Sequence, residues 1–216
     1  MPGIPHHVTQ RGNRRQDVFF SVDDRKQYLE WLLKYSNKYG FEIIAYCLMT
    51  NHVHFVGIPG KRDSISRILN VVNMRHSQYV NREHGWNGHL WQGRFFSCQL
   101  DDVHLWAGIV YVEQNPVRAG IVLNAWDYIW SSAASHCGVR HDPLVTRDSK
   151  YDELFDKWRD VLSILPDKDL VERIRIRTSK GLPCGDETFA AKISHQSGRE
   201  VKIRERGRPR KGDKTQ

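Results

Sequence analysis

The chain has 216 residues, of which 39% are hydrophobic and 27% charged, and 33 lysines and arginines against 25 acidic residues give a net charge of +8. This composition supplies enough apolar side chains for a packed core, which excludes a wholly disordered chain, and the basic excess favours a polyanionic partner. The longest apolar run, from Ile43 to Met49, is too short to span a membrane, and the first residues are too polar for a signal peptide, so we expect a cytoplasmic protein with no membrane partner.

Hydrophobic periodicity and turn residues divide the first hundred residues into short elements. In chain order they predict a strand at 6–10, a helix from Asp23 or Asp24 to Gly40, strands at 41–49 and 52–58, a helix from Ser64 to Gly85 and a strand at 89–100. This order is typical of an α+β protein with a ferredoxin-like βαββαβ fold. The predicted sheet is antiparallel, with helices packed on one side.

The second half of the chain is predicted to be mostly helical. A helix begins at Asp101 or Asp102 and must end or kink at Pro116, and further helices are predicted at 152–165, 169–178 and 186–196. We therefore divide the chain into a main domain at 1–135, a helical C-terminal extension at 136–198 and a basic tail at 199–216. The tail has eight basic and three acidic residues, so it carries +5 of the net charge of +8.

The segment His52-Val53-His54 is the sharpest local feature of the sequence. Because side chains alternate along a strand, His52 and His54 are predicted to lie on one face and Val53 on the other. Two imidazoles at this spacing can share one divalent metal ion. The same pattern also occurs in histidine pairs that only form ordinary hydrogen bonds, so the residues alone leave both interpretations open.

A second feature is Tyr111 on the predicted helix that ends near Pro116. The apolar residues of this helix occupy one arc, whereas Tyr111 falls on the opposite side with Asn115 one turn further on. A phenol beside a carboxamide, with Gly108 nearly in line, leaves room for another backbone to come close, which is typical of a functional site. An ordinary surface tyrosine would show the same pattern. The helix by itself does not decide between them.

Three ordered segments of the chain resemble the REP-associated tyrosine transposases of bacteria, a single-tyrosine branch of the HUH endonuclease superfamily. They are residues 5–13 (PHHVTQRGN), 46–54 (YCLMTNHVH) and 111–120 (YVEQNPVRAG), and the resemblance spans roughly residues 1–135. One departure is Thr50, where the family usually has proline before the Asn-His-x-His run. This position belongs to a turn and is not a ligand.

The resemblance implies a ferredoxin-like catalytic domain that nicks and rejoins single-stranded, hairpin-forming DNA, in transposition or repeat processing. It implies that His52 and His54 bind Mg²⁺ or Mn²⁺, with Asn115 as third ligand in preference to Gln114. Tyr111 would attack the scissile phosphate, forming a 5′-phosphotyrosine link and releasing a 3′-hydroxyl. The implied protein is a metal-dependent endonuclease and strand transferase that is nucleoid-associated and acts as a monomer or homodimer.

Several further residues are candidates for DNA contacts. Those beside the motifs are suited to phosphate binding: Arg11, Arg14, Arg15 and Arg118. In the tail, Arg208-Pro209-Arg210 is similar to the core of an AT-hook, which inserts into a narrow A·T minor groove, although an ordinary solvated basic tail would show the same pattern. Aromatic residues that either stack on unpaired bases or belong to the core are Trp86, Trp91 and Phe95.

Three alternatives to a covalent nickase remain open at this point. A catalytically silent DNA-binding descendant could keep the fold, but the joint retention of His52, His54, Tyr111 and Asn115 argues against it. A metal-dependent hydrolase could use the two histidines without a covalent intermediate. A structural zinc module is the weakest alternative, because the four cysteines lie far apart and form no C-x-x-C pair.

Overall fold

The computed structural model describes residues 1–146, 155–164 and 166–198. The tail with Arg208 and Arg210 and the start of the helix predicted at 152 lie outside these residues. The strands are β1 (His6–Arg11), β2 (Phe41–Leu48), β3 (His52–Pro59) and β4 (Phe96–Gln99). The helices are α1 (Val22–Tyr39), α2 (Ser64–His84), α3 (Asp102–Glu113), α4 (Asn115–Arg118), α5 (Ala133–His136), α6 (Trp158–Ser163), α7 (Lys168–Lys180) and α8 (Glu187–Ser197).

The four strands form one sheet in the order β2-β3-β1-β4, with each neighbouring pair antiparallel. Together with the order of the helices, this topology confirms the predicted ferredoxin-like fold. Strand β1 pairs with β3 through six residue pairs and with β4 through four. Because β4 is short, the end of β1 that carries Arg11 extends beyond it.

Helices α1 and α2 pack side by side on one face of the sheet, as predicted. Their buried residues, among them Tyr28, Leu32 and Ile68, lie in one core cluster with Val8 and Phe55 of the sheet. The N-cap of helix α1 lies two or three residues earlier than the predicted Asp23 or Asp24. The cap is Ser21, whose side chain accepts from the backbone N–H of Asp24 in a capping box, and not an aspartate.

The second face of the sheet is covered by α3 and the C-terminal extension. Ile44, Cys47 and Val56 on this face share a core cluster with Leu105 and Ile109 of α3. Helix α7 packs against β4 and α3. Strands β2 and β3 are buried on both faces along most of their length, and the extension helps to bury the second face that the βαββαβ unit leaves uncovered.

The strand predicted at 89–100 is much shorter in the structure, because only residues 96–99 pair with β1. Residues 90–92 make only isolated backbone bonds to the end of β1 and the turn after it, such as Gln92 N–H to the Arg11 carbonyl at 2.8 Å, and Trp91 lies in the core formed with α1 and α2. Gly88 and Gly93 flank this segment with φ values of +93° and +58°, a backbone conformation that favours glycine and ends a regular strand. Among the helices of the described ranges, none is both long and apolar enough to cross a bilayer.

The buried histidines His6 and His76 predict how the free energy of unfolding depends on pH. Burial lowers the pKa of His6 and of His76 from 6.5 to about 4. Between pH 6.5 and 4 the unfolded chain therefore binds protons that the folded protein does not, so the free energy of unfolding should fall as the pH decreases through this window. Each such proton contributes a slope of about 1.4 kcal/mol per pH unit.

Urea unfolding between pH 7 and 4 measures this slope. The ring Nε2–H of His76 donates to the Val18 carbonyl at 2.6 Å, a bond that glutamine can also form without titrating. His76→Gln should therefore reduce the slope by the contribution of one proton, about 1.4 kcal/mol per pH unit. His89→Gln, at an exposed position, is the matched control. An unchanged slope in His76→Gln would contradict the assignment of the neutral buried ring.

Candidate active site

His54 lies in the middle of the sheet, on the face that α3 and α7 cover. It pairs with Thr9 of β1 and with Cys47 of β2. Its neighbours Val53 and Phe55 lie in the opposite core with α1 and α2, so the alternation predicted from the sequence is present. The rings of His52 and His54 are 4.9 Å apart and nearly perpendicular. The two imidazoles thus share one face of β3.

The orientation of His52 is set by the residue before it. The ring Nδ1 of His52 lies 2.6 Å from Oδ1 of Asn51, and the Asn51 amide nitrogen donates to the carbonyl of Arg15 at 3.1 Å. Because that second bond directs the amide oxygen at the ring, Nδ1 of His52 must carry the proton. The nitrogen that remains for a ligand is Nε2.

His54 has a partner that the sequence interpretation left unassigned. Nε2 of His7 lies 2.9 Å from Nδ1 of His54, and the two rings stack with their centroids 5.2 Å apart. On its other side, Nδ1 of His7 lies 2.7 Å from the Thr178 hydroxyl of α7. Alternation along β1 places His7, Thr9 and Arg11 on one face, but only the pairing of β1 with β3 brings His7 to His54.

Burial keeps these imidazoles neutral. It lowers the pKa of His52 to about 4 and that of His7 to about 3, and it holds the pKa of His54 well below 6.5. The positive charge of Arg118 acts in the same direction on His52 and His54. A neutral ring keeps a nitrogen lone pair, which is the form that binds a metal ion.

Tyr111 is buried beside these rings, with only 6% of its surface exposed. Its ring packs edge-on against His54 and His7 at centroid distances of 5.5 and 5.4 Å. The Arg118 guanidinium lies 4.4 Å from the centre of the ring. The structure therefore excludes the surface tyrosine that the helical pattern left open.

The electrostatic environment of Tyr111 combines two opposed effects. Burial raises the pKa of the phenol, whereas the positive charges of Arg118, Arg175 and Arg11 lower it. Burial is the larger effect, so the phenol is protonated at neutral pH. The same three arginines would stabilise a phenolate or a phosphate placed next to it.

A cavity of about 290 Å³ opens beside Tyr111 and His54. Five elements supply its walls, namely β1, β3, β4, α3 and α7, and Gln92 also lines it. Arg11 of β1 and Arg175 of α7 give it a basic lining, and Glu172 is paired with Arg175 at 3.0 Å. The sequence patterns did not single out Arg175, because its position depends on how α7 packs.

The two amides that follow Tyr111 have different surroundings. Oδ1 of Asn115 accepts from the Arg118 guanidinium at 2.7 Å, and Nδ2 donates to the Val112 carbonyl. Gln114 donates its amide to the carbonyls of Leu162 and Ile164, at the end of α6. Asn115 is thus held next to Arg118, outside the lining of the cavity, and Gln114 is bound to the extension.

The other residues proposed for DNA contacts are dispersed. Arg14 and Arg15 lie on an exposed turn, both with positive φ values. The carbonyl of Arg15 accepts the hydrogen bond from Asn51, the residue that orients His52. Trp91 belongs to the core, while Trp86 is 49% exposed and stacks on His84 at 4.4 Å. Of the three aromatic candidates, Trp86 is therefore the one best placed for a base.

The two free Nε2 atoms fit a divalent metal ion. Each histidine has its Nδ1 anchored by another side chain, as is usual for metal-ligating histidines. Within the described parts of the chain, no group of three or more histidine, cysteine, aspartate or glutamate side chains could hold a metal ion. From the described residues, further ligands would be amide or phenol oxygens, completed by water or phosphate oxygens.

The profile of a protein family described as "Transposase IS200 like" matches residues 2–115, more than half of the chain. The chain belongs to the IS200-like transposases. The matched region contains His52, His54 and Tyr111 and ends at Asn115, whereas α5 to α8 lie beyond it. Transposases of this type generally use a divalent metal ion.

One solved structure supports the fold. The transposase resembles a REP-associated tyrosine transposase bound to a REP hairpin, with a TM-score of 0.55 and 19% identity over 68% of this chain and 88% of that one. A candidate transposase from Deinococcus radiodurans R1 matches with a TM-score of 0.37 and 19% identity, over 54% of this chain and 89% of that one. No curated protein sequence matches. The family profile confirms the transposase resemblance found in the sequence.

Proposed function

We propose that this transposase nicks and rejoins single-stranded DNA beside a hairpin, through a 5′-phosphotyrosine intermediate at Tyr111. The observation that carries the proposal is the packing of the Tyr111 ring against His54 at the edge of a basic cavity. A hairpin as partner is supported by the REP hairpin bound to the structurally similar transposase. The net charge of +8 agrees with a nucleic-acid substrate.

In this proposal His52 and His54 hold Mg²⁺ or Mn²⁺ through their free Nε2 atoms. When bound, such an ion polarises the scissile phosphate and neutralises the charge that develops on its oxygens. Asn115 remains the proposed third ligand. Its Oδ1 already accepts from Arg118, but an amide oxygen has two lone pairs, so one is left for an ion.

The chemical step that we assign to Tyr111 exchanges one ester bond to phosphorus for another, so it needs no external energy source. The phenol oxygen forms a bond to phosphorus and loses its proton to water, while the bond from phosphorus to the 3′-oxygen breaks and that oxygen takes up a proton. Because the phosphodiester is exchanged for a phosphotyrosine ester, a 3′-hydroxyl can attack in the reverse direction and restore a continuous strand. Arg11, Arg118 and Arg175 favour the charged phenolate against the effect of burial.

We propose that the C-terminal extension is a DNA-binding part of the site, because α7 supplies Arg175 to the cavity wall. Arg175→Ala should weaken binding of a single-stranded hairpin oligonucleotide and reduce the slope of log Kd against log salt concentration by about 1. Arg175→Lys should retain the charge and most of the slope. Titrations at several salt concentrations measure both quantities.

The matched control for Arg175 is Arg173→Ala on the same helix, because Arg173 lies outside the cavity that contains Tyr111. It should bind the oligonucleotide as the unmodified protein does. Equal effects of the two substitutions would show that α7 acts only through its overall charge, and would remove Arg175 from the proposed phosphate site.

The direct test of the function uses a labelled single-stranded oligonucleotide that contains a hairpin repeat. It is incubated with the protein and Mg²⁺ or Mn²⁺ and analysed on a denaturing gel for cleavage and for a protein–DNA adduct. We expect both products, and an adduct that is lost in His54→Ala. Binding without cleavage in either metal would favour the catalytically silent DNA-binding protein.

A further inference from the structure

A chain of buried hydrogen bonds runs from the proposed metal ligand to the C-terminal extension. It connects Nδ1 of His54 to Nε2 of His7 at 2.9 Å, Nδ1 of His7 to Oγ1 of Thr178 at 2.7 Å, and Oγ1 of Thr178 to Sγ of Cys98 at 3.1 Å. The four residues lie on β3, β1, α7 and β4, and each of them is at least 95% buried. With so little contact with water, each ring nitrogen depends on its neighbour in the chain.

The two hydrogen bonds made by the His7 ring can be arranged in only two ways. A neutral imidazole has one donor and one acceptor, and each hydroxyl or thiol has a single proton to donate. Either His54 donates to His7 and His7 to Thr178, which leaves the Thr178 hydroxyl proton available for Cys98, or Thr178 donates to His7 and His7 to His54. The second direction places a proton on Nε2 of His54, where it would block a metal ion.

We propose that His7 is a positioning residue, backed by Thr178, that holds the His54 ring with Nδ1 protonated and Nε2 free for the divalent cation. This inference rests on the function proposed above and extends it. It makes the C-terminal extension part of the metal site, although Thr178 lies 171 residues from His7 and outside the region that defines the family. Partners of this kind usually change metal affinity by about 10- to 100-fold when they are removed.

His52 provides the internal comparison for this proposal. Its Nδ1 is fixed by the amide oxygen of Asn51, which can only accept, so its proton has one possible position. The partner of His54 is another imidazole, which can either donate or accept. The direction therefore depends on whether Thr178 accepts from His7 or donates to it.

The test is a titration of the full-length protein with Mn²⁺, followed by electron paramagnetic resonance of the free ion in the absence of DNA. Thr178→Val and His7→Ala should raise the Kd for Mn²⁺ by about 10- to 100-fold. Thr178→Ser keeps the hydroxyl and should bind as the unmodified protein does. His7→Gln can accept from His54 and donate to Thr178, so it should recover part of the affinity, and it replaces His7→Ala if that variant does not fold.

A second measurement separates positioning from a general loss of structure. Nitrogen-15 NMR of histidine-labelled protein with Mg²⁺ reports which ring nitrogen of His54 is protonated, and thermal unfolding reports the integrity of the fold. We expect Nδ1 to carry the proton in the unmodified protein and in Thr178→Ser, and a mixture of the two tautomers in Thr178→Val. A purely structural role for Thr178 would change the unfolding temperature without changing the tautomer.

His54→Ala is the reference that keeps the two proposals distinguishable. If it abolishes Mn²⁺ binding while folded Thr178→Val and His7→Gln bind normally, the role of His7 is disproved and the proposed metal site stands. If His54→Ala binds Mn²⁺ as the unmodified protein does, the metal site itself is wrong, and the positioning role fails with it.

Discussion

Replacing Tyr111 with phenylalanine should abolish DNA cleavage and the covalent protein–DNA adduct together. The substitution removes one oxygen atom and leaves the ring that packs against His7 and His54. Loss of a nucleophile commonly lowers the rate by at least about 1000-fold, so neither product should be detectable on a denaturing gel. Binding of the hairpin should remain, since Arg11 and Arg175 still line the cavity.

Tyr79→Phe is the matched control for Tyr111→Phe, because Tyr79 lies on α2, where it packs against Trp31 on the other side of the sheet. It should cleave and form the adduct normally. Cleavage that survives Tyr111→Phe without an adduct would instead identify a metal-dependent hydrolase, in which water replaces the phenol. The two mechanisms share the histidines and differ only in this outcome.

Replacing Glu113 with alanine should destabilise the fold more than other single changes near the site. The Glu113 carboxylate is fully buried, and it accepts hydrogen bonds from Ser132 at 2.5 Å, from the His136 ring at 2.6 Å and from the Trp158 indole at 2.7 Å. These bonds join α3 to α5 and α6. Removing one member of a buried charged network typically costs about 3–5 kcal/mol, because the remaining donors lose their acceptor.

Urea unfolding of Glu113→Ala measures this loss, and Glu83→Gln, at an exposed position on α2, is the control that should unfold like the unmodified protein. Glu113→Gln should also be destabilised, because its amide nitrogen would face groups that are themselves donors. A double-mutant cycle with Trp158→Phe then isolates one bond of the network. A loss below about 1 kcal/mol in Glu113→Ala would show that the carboxylate is not the acceptor that joins the extension to α3.

The local elements were predictable from the sequence because their signals lie within a few residues of each other. Gly40 and Gly85, which were predicted to end helices, do end α1 and α2 in the left-handed conformation. The alternation of His52 and His54 on β3 follows from the geometry of any strand. The extent of β4 was predicted wrongly, because the residues before it leave the sheet to place Trp91 in the core.

The surroundings of the catalytic candidates could not be predicted in this way. The helical pattern of α3 left Tyr111 open as a surface residue, and it is buried because its ring packs against His7 and His54 of the sheet and against the Arg118 guanidinium. The ligand role of Asn115 was implied by the family resemblance, from its position four residues after Tyr111. Its bond to Arg118 depends on the turn that begins α4, a detail that the spacing does not contain.

The sequence by itself determined the order of the elements, the alternation of the two histidines and the family to which the chain belongs. Only the tertiary structure placed His7 against His54, Thr178 against His7 and Arg175 beside Tyr111. The physical reason is the distance along the chain over which each kind of interaction acts. Periodicity and capping act over one or two turns of chain, whereas the environment of a buried side chain is set by residues that the fold brings together from distant parts of the sequence.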